Sequence, residues 1–479
     1  MINNHIENKF SPAQKKEYII LFLAFITGGI LRFLSSMDNL WFDEIWSVNF
    51  ARSMQSSWDV LTINHDNNHI LNTLYLYYFG YGDVWPQYRF LSIITGTLSI
   101  PIMGYIGFKR GFATGIITTL LVVFSYPLII YSSEARGYAP AIFFSLTAYL
   151  AFQNYNKKLD VISLSVFWTS CILGILSHLT FIYIFAGLFL SSVLPAKKEI
   201  NKIIFYKRLA AWYFLPALFI TFLYLFFVKG MMIGGGESIG TVTGRLADFL
   251  SPLAGLMPGS IAGIVAATLI FIAVSAWILT VERKFSADWI FYALILVIVP
   301  SIAFILPFDF FSSRYLALLL PFLYLMIASM MTKLSSLSKT GMVICIAFCT
   351  LLTFGSTVRL HDQLSIGRGR YLEAVRYIMN NSPSSQVSII TDHELRNSTV
   401  INFYKQFIPL GKEIDYVSVN DMIGKRKEAP EWLITHHRFD PEFTPSLYDG
   451  PKDHKYKLVI ISPSANMLSG WNWYIYKKQ

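Results

Sequence analysis

Long apolar runs dominate this chain, and they leave few folds open to it. A helix that crosses a bilayer needs about 20 mainly apolar residues, because lipid offers its backbone no hydrogen bonds. About eleven such runs are readable, near 18–35, 88–108, 112–131, 138–153, 160–177, 179–195, 209–228, 260–280, 288–306, 315–332 and 341–358. The fifth and sixth are separated only by Ser177-His178-Leu179. The expected fold is therefore a polytopic α-helical membrane protein with about eleven transmembrane helices. Only 14% of the residues are charged, against roughly 25% in soluble chains.

The net charge of +10 is explained by topology and needs no nucleic-acid partner. Lys15-Lys16, Lys109-Arg110, Lys157-Lys158, Lys197-Lys198 with Lys202, Lys207 and Arg208, Arg283-Lys284, and Lys333 with Lys339 fall at every second inter-helix boundary. By the positive-inside rule this places the N-terminus in the cytoplasm. The other loops then face outward: 36–87, Tyr131 to Gly137, the His178 turn, 229–259 and Phe308 to Arg314. The first apolar run has no small-residue cleavage site, so it is expected to stay as a signal anchor. Cys171, Cys345 and Cys349 all sit in apolar runs, with no disulfide framework or thiolate metal spacing. These features suit the inner (plasma) membrane of a bacterium.

Residues 1–359 form the expected membrane domain, and its first outer loop is 36–87. Residues 360–479 change character. Tyr371 to Ile378 and Ser398 to Phe407 have helical patterning. Gln386 to Thr391, Ile414 to Val419, Trp432 to Thr435 and Lys457 to Ile461 have strand patterning. A small extracytoplasmic α/β domain is expected there.

The polar groups that stand out all fall on the outward side. Asp43 and Glu44 lie in Leu40-Trp41-Phe42-Asp43-Glu44-Ile45-Trp46-Ser47. Paired acids in an aromatic, partly dry setting suit general-base work. They equally suit an interfacial helix whose tryptophans anchor at the headgroups. His65 and His69, in Asn64-His65-Asp66-Asn67-Asn68-His69, are candidate ligands for a divalent metal. The Asp-Asn-Asn between them favours a turn that caps the helix starting near Ile70. His178 is a further metal candidate, or a satisfied turn residue. Glu134 and Arg136, in Tyr131-Ser132-Ser133-Glu134-Ala135-Arg136-Gly137-Tyr138, are costly at a membrane mouth unless paired or used. Arg136 offers a planar fork for phosphate. Arg314, in Ser313-Arg314-Tyr315, is another cation at the membrane, with snorkelling as its plainer role. Gly234-Gly235-Gly236 lacks the ending of a P-loop, and no dinucleotide fingerprint is present.

The order of these motifs resembles the GT-C superfamily of polyprenyl-phosphate-sugar-dependent glycosyltransferases. Within it, the chain is most similar to the protein O-mannosyltransferases and the lipid A aminoarabinose and galacturonic acid transferases. The acid pair after one span, the His/Asn segment leading into Asn72-Thr73-Leu74-Tyr75, Arg89-Phe90-Leu91-Ser92, and the Tyr131 to Tyr138 segment carry the resemblance over the first 200 or so residues. Later spans match mainly in hydropathy and in Ser313-Arg314-Tyr315. Many relatives have His-Pro-Pro-Leu-Tyr where this chain has His69-Ile70-Leu71-Asn72-Thr73.

The resemblance implies a GT-C fold and a sugar donor carried on polyprenyl phosphate within membrane lipid. It implies Asp43 as general base and Glu44 as its paired acid. Arg136 and Arg314 would hold the lipid phosphate, with Tyr131, Tyr315, Glu134 and Arg89 around the substrate. The acceptor is a glycan, lipid or protein hydroxyl. The one cofactor kept open is a divalent metal. Rival readings are a flippase or ligase of lipid-linked glycans and a non-catalytic envelope-binding protein. Nearly charge-free spans count against transport.

Overall fold

The computed structural model describes residues 11–155, 160–195, 201–234, 241–282, 286–306, 312–408, 411–417, 429–438, 446–449 and 454–479. The basic pairs Lys157-Lys158, Lys197-Lys198 and Arg283-Lys284, with Gly235-Gly236, lie outside them.

Among the described residues, seven helices are long and apolar enough to cross a membrane. They are Pro12–Ser35, Trp85–Phe108, Lys202–Gly230, Ile261–Thr280, Ala287–Ile305, Ser313–Leu337, and a last one that runs Lys339–Ile366. An eighth candidate is broken. The apolar run expected over 112–131 forms two helices, Phe112–Phe124 and Tyr126–Ser132, bent by 56°. Ser125 caps the second one, its hydroxyl accepting from Leu128 N at 3.2 Å, and Pro127 follows where a helix tolerates proline. Three shorter apolar helices, Tyr138–Phe152, Val161–Ser177 and Phe181–Val193, complete the bundle. Small residues let helices approach closely. A Cβ on Gly96 would overlap Ser132, and one on Gly28 would overlap Ile100.

The first loop folds into helices Phe42–Ser53 and Ile70–Phe79, joined by a 3-10 turn at Ser57–Leu61. The last long helix continues past 359 until Gly367, whose φ of +93° breaks it. The α/β unit then starts at helix Tyr371–Asn381. Its strands are β1 (Gln386–Thr391), β2 (Glu413–Tyr416), β3 (Trp432–His437), β4 (Leu447–Asp449), β5 (Lys455–Ser462) and β6 (Asn472–Lys478), in the order β2-β1-β3-β6-β5-β4. β1 runs parallel to both β2 and β3, and the remaining pairs are antiparallel. Neither β4 nor β6 was expected from the sequence.

Period-two alternation sends Val387 and Ile389 to one face of the sheet and Ile390 to the other. On the first face, these residues pack with Tyr371, Val400, Trp432 and Trp473. Leu40, Trp41, Phe42 and Ile45 of the first loop belong to the same core. The α/β unit is thus seated on the loop that carries the acid pair, through one continuous apolar core.

Candidate active site

The acid pair divides its labour because successive helix positions point about 100° apart. Both residues sit in the first turn of Phe42–Ser53. Glu44 turns inward and is fully buried. Its Oε1 accepts from Arg89 Nε at 2.7 Å and Ala135 N at 2.6 Å, and its Oε2 from Arg89 Nη2 at 2.6 Å. Arg89 also donates to the carbonyls of Ser36, Asp38 and Asn39. Burial alone would push the Glu44 carboxyl up, but Arg89, Arg368 and the Ala135 amide together hold the group below the usual carboxylate range. Glu44 and Arg89 therefore pin the first loop to the second span. Neither lines the cavity beside them.

Asp43 turns outward into a cavity of about 180 Å³ at one end of the bundle. Its Oδ2 lies 2.9 Å from Arg314 Nη1 and 3.4 Å from Arg136 Nη1. Asn67 fixes the arrangement: its amide donates to the Asp43 carbonyl at 2.9 Å, and its Oδ1 accepts from Arg136. The Arg314 guanidinium lies over the Trp41 ring at 4.7 Å, and that of Arg136 lies over Tyr138 at 5.7 Å. Trp41 thus orients a cation as well as filling the core.

Gly137 makes the approach of Arg136 possible. A Cβ there would overlap the Ser177 carbonyl and touch the His69 side chain at 3.0 Å. The Arg136 loop is thereby pressed against the His178 turn. The His69 and His178 rings stack at 4.6 Å and 27°. Burial first, then the charge of Arg136, lowers both imidazoles: His69 well below its ordinary value and His178 to about 3. His178 Nδ1 is met by Thr180 Oγ1 at 2.8 Å.

His65 and His69 do not share a helix face, since residues 65–69 form a turn and the helix starts at Ile70. The His65 ring packs on Trp46 at 4.5 Å, with Asp66 3.0 Å from its Nδ1. Among the described residues, no three His, Cys, Asp or Glu side chains gather as a metal site. The positive charge of Arg136 bears on the stacked His69–His178 pair and would oppose a divalent cation there.

Tyr315 lines the cavity. Tyr131 and Glu134 do not; they are buried behind it, Tyr131 against Tyr138 and Glu134 4.0 Å from Arg368 Nε. Burial pushes the Glu134 carboxyl up, and Arg368 opposes it. Five further cavity residues were not singled out from the sequence: Arg245, Asp248, Arg396, Arg438 and Trp471. Arg438 reaches Asp248 at 3.3 Å, tying the α/β unit to helix Val242–Leu250. Trp471 packs on Trp41 and Phe42, both at 5.7 Å, and carries Arg396 over its ring at 4.9 Å. These residues come from distant segments with no local motif, although the clustered aromatics of Trp471-Asn472-Trp473-Tyr474 were a visible signal.

A second cavity, about 250 Å³ and mostly apolar, adjoins the first. Asp66, His69, His178 and Tyr315 border both. Ile175, Leu179, Tyr183 and Phe227 line the rest of it. A charged chamber opening onto an apolar groove accommodates an anionic head with a hydrocarbon tail.

No family model matches the chain, and no curated protein matches it by sequence. Solved structures do match. The crystal structure of ArnT from Cupriavidus metallidurans bound to undecaprenyl phosphate aligns with a TM-score of 0.53 at 12% identity, covering 97% of this chain and 98% of that one. Its apo structure aligns with the same TM-score and coverage at 13% identity. The S. cerevisiae protein O-mannosyltransferase Pmt1-Pmt2 complex bound to the sugar donor aligns over 48% of this chain and 36% of that one, at 17% identity and a TM-score of 0.35. The ArnT alignments span both the bundle and the α/β unit, so the chain shares the membrane fold of ArnT.

Proposed function

We propose that this protein is an integral-membrane glycosyltransferase that moves a sugar from a polyprenyl-phosphate carrier to an acceptor hydroxyl at the outer face of a bacterial inner membrane. The observation that carries the reading is Asp43 held between Arg136 and Arg314, in a chamber that opens onto an apolar groove. The fold shared with ArnT, solved with undecaprenyl phosphate, supports the donor class. The placement of basic residues supports a cytoplasmic N-terminus and an extracytoplasmic α/β domain.

In this reading the polyprenyl tail lies in the groove and its phosphate meets Arg136 and Arg314. Asp43 accepts the proton of the acceptor hydroxyl as that oxygen bonds to the anomeric carbon. The bond from the anomeric carbon to the phosphate oxygen breaks, and its electron pair leaves with the phosphate. The two guanidiniums stabilise the charge that accumulates there. A single displacement of this kind inverts the anomeric configuration. Glu44 and Arg89 act as positioning residues that fix the turn presenting Asp43. No step is routed through a metal.

The test is transfer by the purified protein from labelled undecaprenyl-phosphate sugars to a panel of glycan, lipid and peptide acceptors. Label reaching an acceptor in a product that Arg136→Ala no longer forms is the expected result. Movement of intact lipid-linked sugar across a vesicle membrane, without transfer, would replace this reading with that of a flippase.

A further inference from the structure

On the border between the charged chamber and the apolar groove, His69 Nε2 is buried without a hydrogen-bond partner, and in the chamber Arg136 Nε is buried likewise. His69 is 4% exposed and Arg136 5%. An unmade hydrogen bond forfeits the hydration it replaced, so a buried donor that lines a cavity is a place for a ligand to bond. The position of His69 is tightly set. Its ring is stacked on His178 and lies 5.7 Å from the Tyr138 ring, and a side chain at Gly137 would press on its Cβ. It does not cap the helix that it begins.

We propose that His69 is a phosphate-contacting residue, donating a hydrogen bond from Nε2–H to the phosphate of the polyprenyl carrier where head meets tail. The inference rests on the donor class proposed above and adds a residue to it. An amphipathic ligand fills both cavities only if its phosphate sits near their shared border, and His69 lines both. A neutral donor suits that position. The charge balance is already supplied by Arg136 and Arg314, and a third cation there would be repelled by both. Burial and Arg136 keep the imidazole uncharged, so it has one N–H to give. As the glycosidic bond to phosphate breaks, negative charge grows on the acceptor of that hydrogen bond, and the interaction strengthens.

The experiment measures binding of undecaprenyl monophosphate, undecaprenol and inorganic phosphate to the full chain in detergent. His69→Gln places an amide N–H near the position of Nε2, and His69→Phe keeps the stack on His178 without a donor. The wild type and His69→Gln are expected to prefer undecaprenyl monophosphate over both other probes, within about threefold of each other. His69→Phe is expected to lose about tenfold or more of that affinity with its melting temperature preserved. If His69→Phe does not fold, His69→Asn replaces it, because its shorter amide falls short of the Nε2 position; the same loss is expected. Wild-type affinity in the donor-less variant, or equal loss in His69→Gln, overturns the inference while leaving the donor class standing. Equal His69 dependence for inorganic phosphate, with no gain from the tail, overturns the border placement. A wild type that binds undecaprenol as well as the phosphate overturns the donor class, and this inference with it.

Discussion

Asp43 occupies Arg314: its Oδ2 accepts from Nη1 at 2.9 Å, and Arg136 stands 3.4 Å from the same oxygen. The carboxylate therefore sits on the guanidiniums that a donor phosphate would use. Donor binding would exchange one anion for another and release the base as it does so. Asp43→Asn removes the competing charge. It is expected to bind undecaprenyl phosphate several-fold more tightly than the wild type while transferring sugar at least about a hundredfold more slowly. Binding and turnover measured on one preparation separate the two effects. Full activity in the variant would remove Asp43 as the base.

Glu44 has the opposite assignment, and its loss should be read in stability. Removing one partner of a buried ion pair strands the other and costs about 3–5 kcal/mol. Glu44→Gln should lower the melting temperature markedly, and by more than Asp43→Asn, whose carboxylate is partly exposed. The pH dependence has a definite sign. The folded Glu44 titrates below its unfolded value of about 4.3. Its stabilisation is complete above that pH and disappears as pH falls through the lower folded value. Melting temperature against pH should fall in that window for the wild type, and less for Glu44→Gln.

Gly137 is the position where the smallest change should do the most local harm. A Cβ there would overlap the Ser177 carbonyl, which is backbone and gives little. Gly137→Ala must push the Arg136 loop away from the His178 turn. A cost of about 1–3 kcal/mol is expected from overpacking, together with loss of undecaprenyl phosphate affinity as Arg136 shifts. An alanine variant with wild-type affinity would show that the loop relaxes without moving Arg136.

The legibility of this chain follows the range of its signals. Apolar runs act locally, so a helical bundle is readable from hydropathy; the 56° break at Ser125 is lost in a hydropathy average, although Ser125 and Pro127 are a local cap-and-proline signal for it. Asp43, Arg136 and Arg314 stand out as charges where lipid makes charge expensive. The same reasoning could not separate Asp43 from Glu44, nor Arg136 from Arg89. Inward and outward faces of a short amphipathic turn are set by what packs on it, here Arg89 and the Ala135 amide. Arg245, Asp248, Arg396 and Arg438 join the cavity only through tertiary folding.

The α/β unit is where the acceptor side of the chamber should be found. Arg136 and Arg314, the proposed phosphate clamp, belong to the bundle, whereas Arg396 comes from the α/β unit and is held there by a chain of contacts. Asp392 Oδ1 lies 2.8 Å from His436 Nδ1, and Arg396 Nη1 is 3.3 Å from His436 Nε2. With Nδ1–H donating to Asp392, Nε2 accepts from the guanidinium, which is thereby fixed over Trp471. Arg396→Ala is expected to keep undecaprenyl phosphate affinity within about threefold and to reduce transfer by tenfold or more, because the clamp is untouched and the far wall of the chamber is lost. His436→Gln should show a milder form of the same split, since it loosens Arg396 without removing it. Equal losses of donor affinity and transfer in Arg396→Ala would place Arg396 with the phosphate instead.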